Sequence, residues 1–167
     1  MNKVSHMSFD NDPVMSAAKK ALETGKAHYI LIWIPEESEN TLKNLLEKVC
    51  CTLNTQKDGN DHIVDWYFET IKRLHSGYYG SRNLNIPTKT PEEKTIIFLV
   101  ERACESGNFE VITTIIPDTP AGEMRQRFND VMKKRNYTVE NITDGRVYVS
   151  AFTDFIAFVN SLRSGSL

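Results

Sequence analysis

Apolar residues recur along the chain with a helical period and do not alternate. Val14, Ala18, Ala21 and Leu22 fall on one face of a segment that opens at Asp12-Pro13 and closes at Gly25. Aspartate before proline supplies a side-chain cap and a first residue whose missing N–H has no partner to lose. Glycine just past the end permits the left-handed turn that stops a helix. A second helix is predicted from about Ser38, with Leu42, Leu45, Leu46, Val49, Cys50 and Leu53 at helical spacing. A third carries Ile63, Trp66, Tyr67, Thr70, Ile71 and Leu74 as its core face.

The same pattern returns at an offset of 82 residues without a gap. Ala21-Leu22-Glu23-Thr24-Gly25 lies over Ala103-Cys104-Glu105-Ser106-Gly107, and Ile34-Pro35-Glu36 lies over Ile116-Pro117-Asp118. Leu46 meets Phe128, Val49 meets Val131, and Trp66 meets Tyr148. In the second repeat, Thr90-Pro91-Glu92-Glu93 is a capping box ahead of Ile96, Val100, Ala103 and Cys104. Met124, Phe128, Val131 and Met132 follow, after a start near Thr119-Pro120, and then Tyr148, Ala151, Phe152, Phe155, Val159 and Leu162. The expected fold is an all-α helical bundle of two tandem three-to-four-helix repeats with a pseudo-two-fold relation. It forms a single domain over residues 1–167, with repeat one at about 12–76, a turn-rich linker at 77–89 and repeat two at about 90–163.

Two stretches resist this pattern. Tyr29 to Ile34 and Val111 to Ile116 are rich in β-branched residues and suit a short buried strand on propensity alone. Each follows a helix-ending glycine and stops at a proline, with nothing strand-like nearby to pair with. They are expected to be short buried helices.

Composition narrows the class further. Hydrophobic residues make up 40% of the 167, and Gly and Pro number only 8 and 6, which favours helices over a sandwich of short strands. Twenty Lys and Arg against 22 Asp and Glu leave a net charge of −2, so no global basic field recruits nucleic acid or acidic membrane. The longest apolar runs fall far below the roughly 20 residues of a membrane span. Three cysteines, two of them adjacent at Cys50-Cys51, make no disulfide framework and point to a reducing compartment. A soluble, cytoplasmic protein without a signal peptide is expected.

Asp12-Pro13-Val14, Lys20-Ala21-Leu22-Glu23-Thr24-Gly25, Phe68-Glu69-Thr70 and Gly145-Arg146-Val147-Tyr148-Val149 resemble an uncharacterised prokaryotic family, a domain of unknown function. The resemblance extends from about His6 to Asn160 and implies an all-helical fold, but no activity. The family's pattern has a His-Cys-Asp near its start, a Phe-Glu-Thr helix ending in His, and a Gly-Arg-Glu-Tyr-Val helix ending in another His. These repeated positions suggest a divalent metal site, and here they carry over to His6, Glu69 and His75. Met7 and Ser8 stand where Cys and Asp would follow. Ala157 is the second-repeat counterpart of His75, and Asn160 fills the later acidic position. A thioether and a methyl are poor substitutes for thiolate and imidazole, so the resemblance implies a degraded site.

Other constellations have bland explanations beside the sharp ones. His62, Asp65 and Glu69 share one side of a helix and could form half of a carboxylate–histidine site, or simply a solvated face. His75 sits where an imidazole can cap a helix end. Arg125, Arg127, Lys133-Lys134-Arg135 and Arg146 could bind phosphate, but Glu123 and Asp130 interrupt them. Cys50 and His28 could be drawn into a nucleophile pair only if the fold joined them. Tyr78-Tyr79, in the linker, could cover a ligand or close the core. The expected function is a non-enzymatic binding or regulatory module, with a protein partner or small ligand at the seam between repeats and no cofactor. The alternative is a metal-binding bundle or metal-dependent enzyme with a degraded site.

Overall fold

The structure is a computed structural model that describes residues 12–55, 61–79, 91–114, 116 and 121–164. All regular structure among the described residues is helical: α1 (Pro13–Thr24), α2 (His28–Leu31), a 3₁₀ turn (Glu36–Ser38), α3 (Glu39–Thr55), α4 (Asp61–Tyr79), α5 (Pro91–Ser106), α6 (Glu110–Thr113), α7 (Ala121–Lys134) and α8 (Ile142–Ser164). The chain divides into two compact units, Met1–Asn85 and Ile86–Leu167.

In the first unit, Asp12 caps α1 by accepting a hydrogen bond from the Val14 N–H at 3.0 Å. Gly25, with φ at 68°, takes the left-handed conformation that ends the helix. Ala18 and Ala21 are wholly buried and allow close approach of Ile30, Leu42, Val49 and the fully buried Tyr67, Phe68 and Ile71. The Tyr67 hydroxyl donates to the Ala18 carbonyl at 3.0 Å, tying α4 to α1. Removal from water raises the Tyr67 pKa well above its ordinary value, with the neighbouring Cys50 adding to the rise.

The second unit repeats this economy with other side chains. Gly107 ends α5 with φ at 69°. Val100, Ala103 and Ile112 are fully buried, and Phe128 bridges Phe109 and Phe155 with ring centroids 5.5 and 6.2 Å away. Arg135, just past α7, donates to the Cys104 carbonyl and, at 3.1 Å, to the Glu105 carbonyl, so a cation covers the open end of α5.

The β-branched stretch after Gly25 opens in the short helix α2 and runs on as turns, and the stretch after Gly107 opens in the short helix α6. In α2 the Ala27 carbonyl accepts from both Ile30 and Leu31 at 3.0 Å, and Ile30, Leu31 and Ile34 are buried. A lone strand there would leave its backbone groups unpaired in an apolar interior, whereas a helical turn pairs them within the segment. Burial overrides propensity.

Two expectations are corrected. Trp66 is not in the core: it is 50% exposed, whereas the adjacent Tyr67 is fully buried. The buried arc of α4 centres on Tyr67, Phe68 and Ile71, which turns Trp66 about 100° away to the flank. Tyr148, its expected counterpart, is half-buried and stacked on Phe152 with centroids 6.0 Å apart. The two rings therefore occupy unlike environments. In addition, α4 runs to Tyr79, so residues 77–79, read above as the start of the linker, belong to the helix.

Candidate functional site

Of the three metal candidates, Glu69 and His75 lie on one helix and point apart. His6 lies outside the described residues. Glu69 is exposed on α4 and pairs with Lys72 one turn on, at 2.7 Å. His75 lies six residues beyond Glu69 on an unbroken helix, which rotates it about 120° out of line. Its Nδ1 is 2.8 Å from the Trp33 carbonyl. A carbonyl can only accept, so Nδ1 carries the proton and points inward. His75 thus caps the carbonyl left open after α2, not the end of its own helix. Its ring also meets Trp33 edge-on, with centroids 6.3 Å apart. Among the described residues, no group of three or more His, Cys, Asp or Glu is placed to hold a metal ion.

The basic cluster is likewise divided among structural partners. Arg125 reaches Glu110 at 3.1 Å and lies over the Phe109 ring, 4.4 Å from its centroid. Arg127 pairs with Glu123 at 2.8 Å and covers Phe158 at 4.2 Å. Lys134 meets Asp130 at 2.6 Å, and Arg135 is committed to the end of α5. These pairs are exposed and individually weak, but each lets a long cation stem cover apolar surface.

Burial acts against thiolate formation at Cys104 and Cys50. Cys104 is 2% exposed, and burial pushes its thiol pKa up to about 12, despite the opposing charge of Arg135. A thiol so held stays neutral and unreactive at physiological pH. Cys50, whose thiol lies 3.9 Å from the Leu22 carbonyl, is also raised by burial.

The feature with the geometry of a binding surface lies elsewhere, along the groove between α7 and α8. This open cleft has a volume of about 560 Å³. Glu123, Arg127, Asp130 and Lys134 line it from α7, spaced as one stripe of that helix. Val147, Ser150, Ala151 and Asp154 line it from α8, spaced as another, and Phe155 contributes to its floor. Val147 is 47% exposed at the edge of the cleft. Sequence reasoning named the cations of this stripe but missed the cleft. Its signal was a valine on the polar side of α8, which reads as core until the register of the helix is known.

The profile of a family described as "Family of unknown function (DUF6448)" matches residues 11–158. The chain belongs to this family. The DUF6448 match reaches from just before α1 into α8, so it takes in helices of both units. It agrees with the resemblance to an uncharacterised domain read from the motifs and carries no activity with it. Comparison with curated proteins and with solved structures returns no match. No helix among the described residues is long and apolar enough to cross a membrane.

Proposed function

We propose that this DUF6448 chain is a non-enzymatic binding module made of two related helical units, with the α7–α8 cleft as its partner-facing surface. The observation that carries the reading is the cleft itself: an exposed aliphatic side chain and an aromatic floor, bordered on both sides by charged groups. A centre of that kind with a polar rim suits a protein segment better than a small metabolite, which needs an enclosed, mainly apolar cavity.

Three coincidences support the relation between the units. The helices α2 and α6 correspond residue for residue at the 82-residue offset, and α3 and α7 begin at it. The left-handed glycines Gly25 and Gly107 match in φ. The last helices, α4 and α8, begin at 61 and 142, one residue short of that offset. With this shift Tyr67 falls on Tyr148, Phe68 on Val149 and Ile71 on Phe152, pairing core with core. The starts of α7 and α8 are one residue closer in sequence than those of α3 and α4, which accounts for the mismatch of Trp66 with Tyr148.

The test is amide-resolved NMR with helical peptides selected from a random library for binding to the full chain. Selected peptides should shift residues 123–134 and 147–155 and leave α1 and α5 unmoved. Peptides that all bind elsewhere, or stoichiometric metal in the purified protein together with hydrolytic turnover, would overturn the reading.

A further inference from the structure

The connection between α7 and α8, residues 135–141, is pinned at both ends. Arg135 holds the carbonyls that end α5. Asn141 caps α8: its Oδ1 accepts the Asp144 N–H at 3.1 Å, and its Nδ2 donates to the Asp144 carboxylate at 2.7 Å. Between these anchors the Asn141 N–H donates to the Thr138 carbonyl at 2.8 Å, which closes a turn. The frame lays the Tyr137 ring on Tyr148 of α8, with centroids 5.6 Å apart and planes inclined by 30°. Tyr148 lies in turn on Phe152, so a third ring backs the pair. Both tyrosines are half-buried and keep an edge in solvent.

Two phenols held this close share a chemistry that a single one lacks. An isolated phenoxyl radical must wait for a partner to arrive by diffusion, whereas a stacked pair already has its partner at contact. Reactants held together behave as though their local concentration were far above any reachable in solution. Ring contacts in the first unit are of another kind, since Tyr29 meets His28 and Tyr67 meets Phe68. Burial raises the pKa of both Tyr137 and Tyr148, so at neutral pH each ring carries its proton and loses it together with an electron.

We propose that Tyr137 and Tyr148 form an oxidation site, at which a one-electron oxidant such as a haem peroxidase fed with hydrogen peroxide joins the two rings into a dityrosine staple. Each phenol gives up one electron and one proton, leaving two phenoxyl radicals. The ring carbons ortho to the two oxygens then form one C–C bond. The hydrogen on each of those carbons moves to oxygen, which restores both phenols. One peroxide accepts the two electrons and two protons and leaves as two molecules of water. The new bond ties the α7–α8 connection to the second turn of α8.

The test is oxidation of the full chain at several protein concentrations, followed by dityrosine fluorescence and peptide mass spectrometry. A haem peroxidase with hydrogen peroxide is the first oxidant. A photo-excited ruthenium tris-bipyridyl complex with persulfate is the second, small enough that access of an enzyme does not limit the result. The dominant product should be a Tyr137–Tyr148 cross-link within one chain, lighter than the separate peptides by two hydrogen atoms. Its yield should not depend on protein concentration, and it should lose its dominance in urea. Tyr137→Phe and Tyr148→Phe should each lower the dityrosine yield about tenfold or more. Both variants keep the stacked ring, and matching circular-dichroism spectra show that the fold is intact. Coupling mainly at other tyrosines, a yield that rises with concentration, an undiminished yield in either variant, or no coupling with either oxidant would each overturn the inference.

Discussion

Adjacent aromatic residues on α4 should differ sharply in what their loss costs. Tyr67 is fully buried and donates its hydroxyl to the Ala18 carbonyl at 3.0 Å, whereas Trp66 is 50% exposed. Tyr67→Phe removes the hydrogen bond but leaves the ring. The Ala18 carbonyl lies inside α1 and keeps its own helical partner, so no polar group is orphaned and the cost is about 1 kcal/mol. Tyr67→Ala adds the cavity and should cost about 3–5 kcal/mol, in the range of other aromatic truncations in cores. Trp66→Ala should fall within about 0.5 kcal/mol despite removing the larger ring. Differential scanning calorimetry of the three variants checks this, since 1 kcal/mol moves the midpoint of a unit this size by roughly 4–8 °C. Equal destabilisation by Trp66→Ala and Tyr67→Ala would refute the helix register. A cost above about 2 kcal/mol for Tyr67→Phe would refute the claim that Ala18 keeps its partner.

Gly25→Ala and Gly107→Ala should destabilise their units by similar amounts, roughly 1–2 kcal/mol, in urea unfolding. Both have positive φ, and the added Cβ meets nothing within 4 Å at Gly25 and only Met132 Cε, at 3.8 Å, at Gly107. Burial raises the Cys104 pKa from 9.0 to about 12, so the unfolded chain loses this proton first and stability falls as pH rises above about 9. Cys104→Ala should flatten that part of the alkaline stability profile relative to the parent, whatever its effect at neutral pH. Calorimetric titration of metal-free protein with Zn²⁺ should show no micromolar site that is lost in both Glu69→Ala and His75→Ala, because the helix holds those side chains apart.

Helix number, order and ends were largely legible because local chemistry determines them. Asp12, Gly25 and Gly107 act through the backbone next to them, so their roles need no knowledge of the tertiary fold. The short helices α2 and α6 could be inferred only indirectly, since Ile30, Ile32 and Ile34 favour extended backbone and are overruled by the lack of any strand partner. Trp66 was misplaced for a related reason. Periodicity locates an apolar stripe to within about one residue, or about 100° of rotation, and a large ring at its margin looks like its centre. The α7–α8 cleft was illegible because it belongs to the packing of two helices and to no local motif. His75 was half legible: an imidazole near a helix end suggested a cap, but the carbonyl it holds is 42 residues away in sequence.

Keeping α2 helical has a bearing on how the first unit fails. Tyr29-Ile30-Leu31-Ile32-Trp33-Ile34 is an uncharged, six-residue run of aromatic, branched and aliphatic side chains. Such a composition forms dry, interdigitated sheets between molecules once it is released from a core. In the folded unit its backbone is spent on helical turns, the His75 imidazole occupies the Trp33 carbonyl, and Pro35 interrupts the run at its end. A transient opening that lifts α4 off α1 would free the carbonyl and expose the run together. Pro35 would then be the remaining gatekeeper against amyloid-like stacking. The interaction that closes α2 is thus also a safeguard for solubility under stress.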